Sequence, residues 1–124
     1  MKLLAFDTST EILSVAVSDG HRIWQQAGPG AAQASSTLIP IILDLLAQAS
    51  LRLETLDALV FGRGPGSFTG LRTACSVAQG LALGARLPVL PLDTLLAVAE
   101  EARLQYQPDA GTLQLTALLD ARMD

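Results

Sequence analysis

The chain has 124 residues, enough for one domain, and 50% of them are hydrophobic, so we expect some apolar surface to be reserved for a protein partner. Twelve acidic against eight basic residues give a net charge of -4, and no basic stripe that could grip nucleic acid is present. The one cysteine, Cys75, excludes an internal disulfide and indicates a reducing, cytoplasmic compartment, and no apolar run reaches the ~18 residues of a membrane span.

The first quarter of the chain predicts three antiparallel strands. Residues 2–6 form an apolar run, residues 14–18 form a β-branched one, and the polar segment DTSTE separates them. Asp19-Gly20 is a two-residue turn signal, so a third strand is expected over residues 21–26. The Gly/Pro-rich residues 28–30 then predict a loop.

A helix is predicted over residues 36–49, where apolar residues follow helical spacing. We place Pro40 in its first turn, where the missing N–H does no harm. The helix is apolar over most of its circumference, which favours packing on two sides.

Strands and helices alternate in the rest of the chain. The helix predicted over residues 69–85 is rich in small residues, which allow close helix packing. Asp93 is expected to cap the helix that follows it. The order βββαβαβαβ predicts an α/β fold with a mixed sheet flanked by helices. The elements are strand 57–61, helix 69–85, strand 88–92, helix 94–106 and strand 113–119.

A glycine-rich segment, GRGPGSFTGLR at residues 62–72, lies between a predicted strand and helix. Its backbone N–H groups and the helix dipole could cradle an anion. It is not a P-loop, because Leu71 follows Gly70 where that pattern needs lysine. The alternative is that the glycines allow tight strand-to-helix packing, with Ser67 or Thr69 as the N-cap.

The hairpin segment DTST at residues 7–10 is a second candidate for phosphate binding. Its carboxylate could hold a metal–phosphate complex, and the alternative is an Asx-type turn that satisfies its own backbone. Together the two segments give a candidate nucleotide or anion site, with no protein-bound cofactor otherwise expected. Its residues are Asp7, Thr8, Ser9, Gly64, Gly66, Ser67, Thr69 and Gly70.

Catalytic chemistry finds little support in the sequence. The single histidine, His21, lies at a predicted hairpin turn, and Cys75 lies in the middle of a helix among small residues. Glu100 and Glu101 are adjacent on a helix and point in different directions. We therefore expect no catalytic residue and no metal site.

Two motifs in combination, LLAFDTST and GRGPGSFTGLR followed by AQGLALG, resemble the TsaB (YeaZ) family of bacterial tRNA threonylcarbamoyladenosine biosynthesis proteins. The segments LIPIILDLL and LLDARMD extend the resemblance from residue 2 to residue 123. It implies an actin-like lobe of the sugar kinase and Hsp70 (ASKHA, ribonuclease H-like) superfamily. Residues 1–106 would form this N-terminal lobe, and residues 107–124 would lead into a second lobe that is absent from this chain.

The resemblance also implies a function. The protein would be a non-catalytic partner of TsaD, the subunit that transfers threonylcarbamoyl to N6 of adenosine 37 in tRNAs reading ANN codons. TsaE, an ATPase, would join the complex, tRNA would be reached only through it, and homodimers would use a similar surface. The apolar helix predicted over residues 36–49 and the small-residue helix predicted over residues 69–85 would supply the partner interface. The interface residues would be Leu38, Ile42, Leu45, Leu46, Ala74, Ala78 and Ala82.

Two alternatives and one departure accompany this interpretation. The chain could instead be a nucleotide-binding protein, with the nucleotide at a partner interface, or a glycoprotease-type peptidase. The segment LDTLLAVAEEAR has no histidine pair at metal-ligand spacing, which argues against the peptidase. Ala34 stands where relatives commonly have histidine.

Overall fold

The computed structural model describes residues 1–106, which form one five-stranded sheet in the order β3-β2-β1-β4-β5. The first three strands are antiparallel neighbours, whereas β4 and β5 continue the sheet parallel to β1. The predicted strand over residues 113–119 lies outside the described residues. The strands are β1 (Leu3–Asp7), β2 (Ile12–Ser18), β3 (Ile23–Pro29), β4 (Ala58–Gly62) and β5 (Val89–Leu92).

Three α-helices connect or follow these strands, and the predicted order of elements is confirmed over the described residues. Among residues 1–106, no helix combines the length and the apolar character needed to cross a membrane. The helices are α1 (Ala34–Gln48), α2 (Phe68–Ala85) and α3 (Thr94–Tyr106), with short 3-10 turns at Ala31–Gln33 and Leu53–Thr55.

Strand β3 begins at Ile23, two residues later than predicted, and it includes Gly28 and Pro29, which were expected in a loop. Gly28 pairs with Leu13 and Pro29 pairs with Ile12 across the antiparallel ladder. Proline is tolerated there because β3 is an edge strand, where one side of the backbone has no ladder partner.

Helix α1 begins at Ala34, so the placement of Pro40 in its first turn is wrong. The 3-10 turn before the helix starts the winding early, and the Thr37 hydroxyl holds the first turn by donating to the Pro29 carbonyl at 2.7 Å. Pro40 and Ser36, whose carbonyl would accept from residue 40, are both exposed. Water can therefore take the place of the missing N–H, which makes the proline tolerable inside the helix.

The hydrophobic core lies between α1, α2 and one face of the sheet. Alternate residues of the strands point into it, and the buried residues of α2 are three alanines and Gly70, which lets its backbone approach the sheet closely. The largest fully buried apolar side chains are Leu4, Leu13, Val15, Val17, Leu38, Ile42, Leu45 and Leu59.

The residues predicted to form the partner interface are buried in this core, so that assignment is wrong. Their exposed fractions lie between 0% and 8%, which leaves no surface for a partner. Helical periodicity marks the face that packs on the sheet, and it cannot tell that face from an interface. That the two helices form a partner surface stays a prediction, but side chains other than these would have to make the contacts. The residues concerned are Leu38, Ile42, Leu45, Leu46, Ala74, Ala78 and Ala82.

The opposite face of the sheet carries a groove of about 430 Å³ beside the start of α3. Small and apolar side chains line most of it, including Ala5, Ala16 and Ala97. Asp7 and Asp93 lie at one end, where β1 and β5 finish.

Candidate functional site

The candidate site lies where β1, β4 and β5 end. The three strands run parallel, so their carboxyl ends share one edge of the sheet, at Asp7, Gly62 and Leu92. The chain adds β2 and β3 on one side of β1, and then β4 and β5 on the other side. Strand β1 therefore has an antiparallel neighbour on one side and a parallel neighbour on the other. This is the edge at which open α/β sheets commonly bind ligands.

Both oxygens of the Asp7 carboxylate accept hydrogen bonds from the protein itself. Oδ1 accepts from the Ser9 backbone N–H at 2.7 Å and from the Ser9 hydroxyl. Oδ2 accepts from the Thr94 hydroxyl at 2.8 Å. The bond to the backbone two residues ahead is that of an Asx turn, so the geometry fits the structural alternative for this segment.

Thr8 and Ser9 are buried, and their polar groups are also used within the protein. The Thr8 hydroxyl donates to the Gly70 carbonyl, and the Ser9 carbonyl accepts from the Ser67 N–H at 2.6 Å. These bonds tie the hairpin segment to the loop and to the start of α2. The structure therefore brings the two predicted segments together, in contact with each other.

Three glycines of the loop lie directly against residues 7–9. A Cβ atom at Gly62 would overlap the Asp7 carboxylate, one at Gly66 would overlap Ser9, and one at Gly70 would overlap the Thr8 carbonyl. The glycines thus permit a close backbone approach, which is the packing alternative of the sequence analysis. A fourth, Gly64, has a positive φ of 110°.

The start of α2 is capped as one alternative predicts. The Ser67 hydroxyl accepts from the Gly70 N–H at 3.3 Å, which makes Ser67 the N-cap residue. Thr69 is exposed in the first turn and lines a separate surface groove with Ser35 and Arg72. It is the one predicted site residue that does not join the others.

Thr94 is a central residue of this cluster that the sequence analysis missed. It is buried, and its hydroxyl accepts from the Gly64 N–H at 3.2 Å while donating to Asp7. Asp93, expected as a helix cap, accepts from the N–H groups of Leu96 and Ala97 through its carbonyl. The sequence feature that could have identified Thr94 is its position directly after Asp93, at a predicted strand-to-helix junction.

The Asp93 side chain makes an ion pair with the loop. Its carboxylate accepts from Nε of Arg63 at 2.7 Å, across 30 residues of sequence. The hydrogen bond and the positive charge of the guanidinium hold the pKa of the Asp93 carboxyl below its ordinary value. Both side chains are more than half exposed, so this pair contributes little to stability.

The cluster is better suited to joining strand ends than to holding a metal–phosphate complex. The Asp7 oxygens and the hydroxyls of Thr8, Ser9 and Thr94 already have partners inside the protein. Among residues 1–106, no group of three or more His, Cys, Asp or Glu is placed to hold a metal ion. The observed contacts favour the structural alternative, and the nucleotide site stays a prediction.

A second surface is formed by the outward faces of α1 and α2, which we define by Ile39, Leu43, Gly80, Leu83 and Gly84 and call the outer helix surface. Leu83 is 85% exposed and Leu43 is 59% exposed. A Cβ atom at Gly80 or Gly84 would meet nothing within 4 Å. These two helical glycines are therefore not required by any packing among the described residues.

Known proteins resemble this chain over most of its length. A family model described as TsaD, tRNA N6-adenosine threonylcarbamoyltransferase, matches residues 13–124. The tRNA threonylcarbamoyladenosine biosynthesis protein TsaB of Haemophilus influenzae is 44% identical, over 100% of this chain and 51% of that protein. TsaB of Escherichia coli is 37% identical, over 99% of this chain and 52% of that protein.

A solved structure, YeaZ from Pseudomonas aeruginosa, superposes with a TM-score of 0.79 at 41% identity. The superposition covers 85% of this chain and 49% of that one. The chain thus spans about half the length of the relatives that it matches.

Proposed function

Because this chain belongs to the TsaB (YeaZ) family, we propose that it acts in the formation of N6-threonylcarbamoyladenosine in tRNA, as a non-catalytic partner of a TsaD protein. Its five-stranded mixed sheet flanked by helices is an actin-like, ribonuclease H-like α/β fold, as predicted. The modified base would be adenosine 37 of tRNAs that read ANN codons. The chain would contribute to the reaction by binding TsaD through the outer helix surface.

The observation that carries this proposal is the pair of exposed glycines on α2. Each glycine inside a helix costs about 1 kcal/mol relative to alanine. Gly80 and Gly84 incur that cost with no neighbouring atom near the position of a Cβ. Because glycine has no side chain, the backbone of a partner helix could approach α2 closely at these two positions. The packing gained in the complex would compensate for the lost helix propensity.

The exposed apolar side chains around these glycines support the same conclusion. Leu83 lies between the two glycines, and Ile39 and Leu43 lie one helical turn apart on the neighbouring helix α1. The buried centre of a protein interface is more apolar than the rest of the protein surface, and these side chains fit that composition. A homodimer through the same surface would compete with TsaD.

A non-catalytic role agrees with the placement of the reactive side chains. Cys75 lies half-buried on α2, and His21 is exposed at the turn between β2 and β3. A nucleophile needs a base within hydrogen-bond reach, and among residues 1–106 no hydrogen bond joins Cys75 to His21. With a net charge of -4, the chain would reach tRNA through the complex, in which TsaE would be the third protein.

The proposal is tested by calorimetric titration of the chain with TsaD from the same organism. We expect a one-to-one complex, which Leu83→Asp weakens at least tenfold because it places a charge in an apolar contact. The matched control is Leu96→Asp, which changes a comparably apolar, exposed residue on α3 and should leave the affinity unchanged. The rate of threonylcarbamoyladenosine formation in a reconstituted mixture should fall with the affinity.

Two results would contradict the proposal. One is the absence of any complex between TsaD and a folded chain. The other is a Leu83→Asp variant that binds TsaD as tightly as the unmodified chain does, since the outer helix surface would then not be the interface.

A further inference from the structure

Within residues 1–106, helix α3 is attached to the sheet and the loop mainly through its first turn. Thr94 is buried, whereas none of residues 95–105 is, and Leu96 is 57% exposed. The helix begins beside the groove on the open face of the sheet, which Asp93 and Ala97 help to line. The bonds that hold the first turn therefore determine where α3 stands relative to that groove.

Thr94 makes three of those bonds. Its N–H donates to the Gly64 carbonyl at 2.9 Å, and its hydroxyl accepts from the Gly64 N–H at 3.2 Å. The same hydroxyl donates to Asp7 Oδ2 at 2.8 Å. A hydroxyl can donate and accept at once, so one oxygen joins the ends of β1, β4 and β5.

We infer that Thr94 is a positioning residue, which clamps the first turn of α3 to Asp7 and Gly64 and so fixes one end of the groove. This inference is independent of the proposed function, because the groove and the outer helix surface lie on opposite faces of the sheet. The hydroxyl bond to a carboxylate is charge-assisted and partly buried, which makes it stronger than an ordinary one.

The Arg63–Asp93 ion pair is the competing explanation for the position of α3. It also links the loop to the start of the helix. Because both of its side chains are mostly exposed, water and salt screen the attraction. The clamp and the ion pair therefore predict different outcomes when each is removed.

Amide hydrogen exchange of the full chain, followed by NMR, separates the two explanations. Thr94→Val keeps the shape of the side chain and removes the hydroxyl. We expect about tenfold faster exchange at the Leu96 and Ala97 amides, which bond to the Asp93 carbonyl. The Ala49 and Leu51 amides at the end of α1 should be unchanged.

Matched variants complete the experiment. Thr94→Ser should restore slow exchange, because it restores the hydroxyl. Thr73→Val removes a threonine hydroxyl that bonds only within α2, and it should leave α3 unchanged. Arg63→Gln should alter exchange at Leu96 and Ala97 by less than twofold.

Three results would overturn the inference. They are an unchanged α3 in Thr94→Val, fast exchange that persists in Thr94→Ser, and fast exchange in Arg63→Gln. The last two do not depend on the folding of the valine variant, so the inference stays testable if that variant is unstable.

Discussion

Gly70, in the first turn of α2, and Gly84, near its end, show how the same residue type has opposite roles within one helix. At Gly70 a Cβ atom would overlap the Thr8 carbonyl, which is backbone and cannot rotate away. At Gly84 a Cβ atom would meet open space. The sequence presents both as glycines in a small-residue helix, and only the position of the hairpin segment distinguishes them.

We expect Gly70→Ala and Gly84→Ala to change stability in opposite directions. Gly70→Ala should lower the free energy of unfolding by about 2 kcal/mol or more, because the Thr8 segment must shift. Gly84→Ala should raise it by about 0.5 to 1 kcal/mol, because alanine restricts the unfolded chain and favours the helix. Urea unfolding of both variants checks this. Equal changes would contradict the packing explanation of the glycine-rich loop.

At the scale of elements, periodicity and turn chemistry predict this fold well. Strands β1 and β2 alternate between buried and less buried residues, and Asp19-Gly20 marks the turn before β3. The hydrophobic pattern does not show which element packs against each buried face. Contacts across 62 residues, such as that between Thr8 and Gly70, favour the packing alternative at the loop, and no local pattern encodes them.

The same limit explains the error in the predicted interface. Leu45 follows the apolar periodicity of α1 as an interface residue would, yet it packs on the sheet and is buried. Leu43 breaks the periodicity and is exposed. An interface on a helix that already packs on a sheet consists of residues outside the dominant stripe, so deviations from the pattern are more informative than the pattern itself.

This distinction predicts a large difference between two leucines of one helix. Leu45→Ala should lower the free energy of unfolding by about 3 kcal/mol, because it leaves a cavity in the core. Leu43→Ala should change it by less than about 1 kcal/mol, since its side chain is mostly in water. Chemical denaturation with circular dichroism measures both. Similar losses for the two variants would mean that α1 is not oriented as described.

At the scale of the molecule, the two faces of the sheet differ in how they are covered. One face is closed by α1 and α2 over the core, and the outward side of those helices exposes apolar residues. The other face carries the groove beside α3. Exposed apolar side chains occur on several elements of residues 1–106, and on the outer helix surface they lie beside glycines that reduce helix stability.

That reduction leads to a prediction in which stability and partner binding separate. Gly80→Leu should not destabilise the chain, because leucine is a good helix former and its Cβ meets no neighbour. It should nevertheless weaken the complex with TsaD at least tenfold, because the added side chain prevents close approach of a partner helix. Glu101→Leu, on the exposed side of α3, is the control for added apolar surface. Thermal unfolding and calorimetric titration give the two quantities, and a variant that binds TsaD normally would remove the reason we give for the exposed glycines.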